Sequence, residues 1–204
     1  MLLAAYLPAV SLQARRLLSP TLTRAVASAR LVDPPHPAVL PLKDLERDLK
    51  FTSTKGSGPG GQNRNKVQTA VVLEHVPTGV RGSSADSRSQ QQNRAAALYR
   101  LRVKLALELR TALALDAPTT ELWTRRRKGT KVVCNEKHED FPALLAEALN
   151  HVEASENVAA AAERLGVSTN NLVALLKQAR GGLGAVDVEK LPKWARPKGN
   201  EPKE

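Results

Sequence analysis

The chain has 204 residues, of which 31 are Lys or Arg and 20 Asp or Glu; its net charge is +11, and 42% of it is hydrophobic, enough for one domain or a small domain with a satellite. The single cysteine, Cys134, excludes an intrachain disulfide and a cysteine-rich zinc site, and no apolar run is long enough for a membrane-spanning helix. His36, His75, His138 and His151 show no metal-ligand spacing, so structural roles are expected for them and neither a metal nor an organic cofactor is expected.

The charge is uneven. Residues 51–135 carry 15 cations against 5 anions, whereas residues 136–204 carry 9 against 11. A surface for a polyanion is therefore expected in the middle of the chain, and a different task in the last third.

In chain order, residues 1–32 lack Asp and Glu and spread Arg15, Arg16, Arg24 and Arg30 among apolar and hydroxyl residues. That composition suits a mitochondrial transit peptide and equally an N-terminal extension of a bacterial chain, so the expected compartment is the mitochondrial matrix or the bacterial cytoplasm. Val32 to Pro37 reads as a linker, and residues 1–39 together as a disordered extension. Pro41 to Leu49 follows as a short helix, with Leu45 and Leu49 four apart and Asp44 and Glu46 near its start. Lys50–Thr54 is a strand, and Val67–Val76 a second; Pro77-Thr78-Gly79 turns the chain into a third, Val80–Ala85.

From Asp86 or Ser87, either of which can cap an N-terminus, to Thr111 there is no Gly or Pro, and Leu98, Leu101, Leu105 and Leu109 recur at helical spacing. Arg88, Arg94, Arg100, Arg102, Lys104 and Arg110 face only Glu108 in that stretch, which predicts a basic solvent face suited to RNA. Residues 117–139, containing Arg125-Arg126-Arg127-Lys128, read as a basic linker with an rRNA contact. Residues 140–190 form a helical unit: a helix capped by Asp140, a second opened by Asn157, a break at Gly166 and a third from Thr169. The last pair has a helix-turn-helix pattern, but Leu172, Val173, Ala174, Leu175 and Leu176 look like core, so packing or protein docking is the stronger reading and duplex-DNA binding the weaker. Residues 191–204 read as a flexible tail.

Between the first two strands lies Lys55-Gly56-Ser57-Gly58-Pro59-Gly60-Gly61-Gln62-Asn63-Arg64-Asn65-Lys66, whose glycines and proline disfavour helix and strand and whose cations attract phosphate. A solvated surface loop has the same composition. The run Gly58 to Lys66 resembles the GGQ signature of class I peptide chain release factors and the stop-codon-independent ribosome-rescue factors. Thr69 to Val80, and Ser87-Arg88-Ser89-Gln90 followed by Asn93-Arg94, match the family in order.

The resemblance implies an α+β fold: a small antiparallel sheet packed on a long basic helix over residues 40–116, followed here by the small helical segment with its helix-turn-helix-like pattern. It implies ribosome-dependent hydrolysis of the peptidyl-tRNA ester, with Gly60, Gly61 and Gln62 catalytic, the Gln62 backbone N–H stabilising developing charge and its side chain helping to admit water. RNA contacts are expected from Lys55, Arg64, Lys66, Arg88, Arg94, Arg125, Arg126, Arg127 and Lys128. The implied partners of a monomer are large-subunit rRNA and peptidyl-tRNA, with no membrane and no metal.

Arg64 stands where many relatives have Val, and the family's stop-codon-reading region has no counterpart in these residues, which favours rescue of stalled ribosomes over codon-directed termination. Many rescue factors carry a long basic tail; here a near-neutral helical segment takes its place. The alternative is an accessory RNA-binding protein that keeps the fold without the catalysis.

Overall fold

The structure, a computed structural model, describes residues 30–55, 67–111 and 118–179. In chain order the elements are β1 (Arg30–Val32), a 3-10 turn (Pro37–Val39), α1 (Leu42–Arg47), β2 (Leu49–Thr54), β3 (Ala70–His75), β4 (Val80–Ser84), α2 (Gln90–Glu108) and β5 (Leu109–Thr111). Then come α3 (Glu121–Arg126), β6 (Arg127–Lys128), β7 (Lys131–Val132), α4 (Phe141–Ala154), α5 (Val158–Arg164) and α6 (Thr169–Gln178). The α+β architecture that the resemblance implies is the one observed.

Strands β2, β3 and β4 form an antiparallel sheet in that order, with Thr54 opposite Ala70 and His75 opposite Val80. Alternation along β3 sends Val71, Leu73 and His75 into the core. The turn after it is closed by Gly79, whose φ of 70° is the left-handed conformation that glycine adopts without steric cost, and whose N–H donates to the His75 carbonyl at 2.7 Å. His75 adds a 2.7 Å hydrogen bond between its Nδ1 and the Thr78 hydroxyl.

Helix α2 covers the inner face of this sheet. Its backbone approaches so closely that a Cβ on Gly82 would come within 2.6 Å of the Leu101 Cβ and collide with the Ala97 carbonyl, so only glycine fits at that point of β4. Opposite the sheet, α2 packs against α4, and α4 in turn against α5 and α6. One hydrophobic core therefore runs from Val71 and Leu73 through Leu101 and Leu105 to Phe141, Leu144, Leu145, Leu165 and Leu176.

The structure departs from the sequence reading at six points. Helix α2 is capped by Ser89, whose hydroxyl accepts from the Gln92 N–H at 3.4 Å. Asp86 is instead held by Arg100 at 2.6 Å, and the Ser87 hydroxyl donates to Gln92 Oε1 at 2.5 Å. The helix also stops at Glu108, because Leu109–Thr111 pairs in parallel with Arg30–Val32 as β5 and β1. That pairing folds the last ten residues of the expected extension into the body of the protein: His36, Pro37 and Ala38 are buried, and His36 Nε2 lies 3.3 Å from the Leu109 carbonyl.

The fourth departure is α1, which is shorter than its apolar spacing suggested, since Leu49 is drawn into β2 opposite His75. Fifth, the expected linker over residues 117–139 contains a helix and a hairpin anchored by Trp123, a fully buried residue whose Nε1–H donates to the Leu165 carbonyl at 2.9 Å. Sixth, Asp140 stands at the N-cap of α4 without capping it; its carboxylate accepts from Arg126 Nε at 2.8 Å and from the Arg126 terminal nitrogen at 2.5 Å. A guanidinium fork outbids a neutral backbone amide for a carboxylate. The expected tail, residues 191–204, and residues 180–190 of the expected helical unit lie outside the described residues.

Candidate functional site

Cross-strand pairing of Thr54 with Ala70 brings the two ends of the glycine-rich segment to the same end of the sheet. Gly60, Gly61, Gln62, Arg64 and Lys66 lie outside the described residues; Lys55, on the near side, is exposed. What the structure defines is the stem from which that segment leaves and to which it returns.

The returning side is fixed by Asn93, which is 1% exposed within the first turns of α2. Its Nδ2 donates to the Thr69 and Ser87 carbonyls, each at 2.7 Å, while its Oδ1 accepts from the Ser87 N–H at 2.9 Å and the Ser84 hydroxyl at 3.3 Å. Gln90 adds a bond to the Gln68 carbonyl at 3.3 Å. The block Ser87 to Asn93 thus ties helix, corner and stem together. The sequence places Asn93 in a family block without disclosing its role; the usable signal is an amide residue within a helix, where only a demand for side-chain hydrogen bonds favours it.

Beside the stem is a depression of about 230 Å³ lined by Thr54, Lys55, Ala70, Ser83, Ser84 and Arg100. Arg100 is one wall of it, and its guanidinium is already engaged by the Ser83 carbonyl at 2.9 Å and by Asp86.

Among the described residues no Ser–His or Cys–His hydrogen bond is formed. The one hydroxyl–imidazole contact, Thr78 with His75, sits at the opposite end of β3 from the stem. Burial pushes the pKa of His75 down, so its imidazole is neutral and serves the turn. Cys134 is driven the wrong way for a nucleophile, its thiol pKa raised by burial ahead of the opposing effect of Arg126. His138 accepts from the Asp140 N–H through Nδ1 at 3.1 Å and touches Arg126, a structural role.

The expected cations divide sharply. Arg88 is exposed in the bend before α2. Arg94 is exposed as well, though its guanidinium pairs with Glu46 at 3.0 Å and lies 5.8 Å above the Phe51 ring. The rest of the basic face predicted for α2 is turned to internal use. Lys104 donates to the Arg81 carbonyl at 3.0 Å, Arg102 donates to the Leu40 carbonyl, and Arg110, 8% exposed, pairs with Glu153 at 2.9 Å. Orphan carbonyls at element ends need donors, and long cationic side chains reach them. In the second cluster Arg126 faces inward to Asp140, whereas Arg125, Arg127 and Lys128 remain exposed.

Comparison with known proteins agrees with this geometry. Residues 43–139 match the RF-1 domain. The match begins in α1, includes the stem and the Asn93 block, and continues through the hairpin to the start of α4.

The chain is similar to the chloroplastic peptide chain release factor PrfB1 of Arabidopsis thaliana, 50% identical over 60 residues, which is 29% of this chain and 13% of that protein. It is similar to the mitochondrial translation release factor in rescue of Mus musculus, 48% identical over 59 residues, 29% of this chain and 31% of the relative. Peptide chain release factor 1 of Acidiphilium cryptum is 42% identical over 69 residues, 34% of this chain and 20% of that protein. The chain spans less than a third of the length of each of these three relatives.

Proposed function

We propose that this protein hydrolyses the ester between nascent peptide and tRNA on the ribosome, and that it does so in rescue of stalled ribosomes without reading a codon. The observation that carries the reading is the placement of Gly60-Gly61-Gln62 in a segment whose two ends leave one end of an RF-1 sheet at Thr54 and Ala70. Support for a codon-independent role comes from the relative whose name places it in rescue.

The chemistry follows from what the segment offers. It holds no residue that titrates near neutrality, so a conventional general base is not supplied. Two glycines give the main chain freedom to aim the Gln62 N–H at the oxygen on which charge develops, a contribution of about 3–4 kcal/mol in a water-poor site. The Gln62 side chain helps admit water, the co-substrate. Lys55, Arg64, Lys66, Arg88 and Arg94 draw the segment onto large-subunit rRNA and peptidyl-tRNA. The protein acts as a monomer, in the bacterial cytoplasm or the mitochondrial matrix.

The test is peptide release from ribosomes stalled without a stop codon. Gly60→Ala and Gly61→Ala lower the release rate about 100-fold or more, because a Cβ blocks the backbone geometry, and Gln62→Ala lowers it far less because the N–H remains. Full release by all three variants refutes catalysis and leaves the accessory RNA-binding reading.

A further inference from the structure

We propose that the β6–β7 hairpin, mounted on the α5–α6 pair, is a second RNA-binding surface that grips a phosphate backbone independently of the segment carrying Gly60-Gly61-Gln62. Three observations lead there.

The first is the charge at the hairpin tip. Lys128 and Lys131 are exposed and stand directly opposite one another across the two strands, and neither forms an ion pair with a carboxylate among the described residues. Like charges in directly opposed positions repel, so the bare hairpin is destabilised by its own sequence. An anion placed between the two ammonium groups removes that repulsion. Arg125 and Arg127, also exposed, extend the positive surface.

The second is the mount. A hairpin of two-residue strands has little stability by itself. This one is held because the Thr130 carbonyl at its tip accepts both from the Ser168 N–H at 2.9 Å and from Asn171 Nδ2 at 2.8 Å. Arg127 reaches the Gly166 carbonyl at 3.4 Å, and Trp123 in α3 bonds the Leu165 carbonyl. All four acceptors and donors on the mount belong to the turn between α5 and α6 or to the first turn of α6.

The third is what this does to the helix-turn-helix pattern. Asn171, one of the three amide side chains of α6 that could read a base edge, is committed to the hairpin, and Leu172, Leu175 and Leu176 are core. The pair is therefore a bracket, and the hairpin is what it presents. A tip of Lys128-Gly129-Thr130-Lys131 offers point charges and no amide or aromatic side chain, which suits a sugar-phosphate backbone of any sequence. The choice of RNA among polyanions rests on the proposed activity; the charge geometry does not.

The experiment uses the full chain, with intact ribosomes, a short labelled RNA duplex and, as an anionic control, phosphatidylglycerol vesicles as probes, each titrated over salt. For Lys128→Gln/Lys131→Gln, the slope of log affinity against log salt falls by about 2 and low-salt affinity drops about tenfold or more. Lys128→Arg/Lys131→Arg restores both. Lys131→Glu gives opposed signs that a purely structural role would not: thermal midpoint up, because the repelling pair becomes an attracting one, and RNA affinity down. Unchanged slopes on both RNA probes overturn the proposal, as does an effect confined to phosphatidylglycerol vesicles. Gly60→Ala leaves these slopes intact while abolishing release. A Gly60→Ala protein that still releases peptide, beside a Lys131→Glu protein that loses the slope, refutes the proposed catalysis and leaves the surface standing.

Discussion

The cations on α2 and the cations on the β6–β7 hairpin come from one basic stretch of sequence, and the fold uses them in opposite ways. On α2 and the β5 strand that follows it, Arg100, Arg102, Lys104 and Arg110 turn back onto carbonyls and carboxylates of the elements around them. At the hairpin Arg126, just before it, and Arg127 do so, through Asp140 and the Gly166 carbonyl, while Lys128 and Lys131 face each other in solvent. Net charge in a segment therefore says that cations are present; whether they are free for a partner depends on how many backbone acceptors lie within reach of each side chain. A helix wedged between a sheet and a second helix is surrounded by element ends, whereas a two-residue turn is not.

The largest effect that bears on this comparison is Trp123→Ala. Removing a fully buried indole costs about 3–5 kcal/mol and unpins the expected linker from the α5–α6 turn. Chemical denaturation should show that loss as a lower midpoint. A cost below about 1 kcal/mol would mean that the hairpin is not mounted as described.

Acid should act next, and on the α2 side. Burial lowers the His36 pKa to about 4, with the Leu109 carbonyl opposing and Arg110 assisting. The unfolded chain takes up a proton as pH falls through about 6.5, while the folded chain resists until about 4. Stability is therefore complete above that window and declines within it, by about 3 kcal/mol for this group. His75 and His151 are shifted in the same direction, also chiefly by burial. Denaturation midpoints measured across the window should fall as pH falls, and fall less in His36→Gln; an equal decline in both would remove His36 as a cause.

The smallest effect sharpens the contrast most directly. Arg100→Gln should cost about 1 kcal/mol or less, its ion pair with Asp86 being partly exposed, and should leave the salt slope of RNA binding where it was. A slope reduced as much as by the hairpin variants would show that the α2 cations are free after all.

Much of the layer of three strands and one long helix was legible in the residues. The strands, the Pro77-Thr78-Gly79 turn and the helix each rest on short-range signals: β-branched and apolar runs, a proline and glycine at a turn, and leucines at helical spacing. The stem of the candidate site was legible for the same reason, since adjacent antiparallel strands must bring the ends of their connection together. The chemistry proposed for Gly60, Gly61 and Gln62 rests on the residues and the family, outside the described part of the structure.

What the residues could not disclose depended on partners distant in the chain. Leu109 carries a helical spacing but ends as a strand because Arg30 to Val32 lies beside it. Asp140 has the chemistry of a cap and the position of one, yet Arg126 claims its carboxylate. The type of the three central strands, their turn and the long helix was decided locally, by propensities that act over a few residues. Which cation is free, which polar side chain is a clamp, and where a linker becomes a mount were decided by tertiary packing, because a hydrogen bond or ion pair forms only with whatever acceptor the fold brings within about 3 Å.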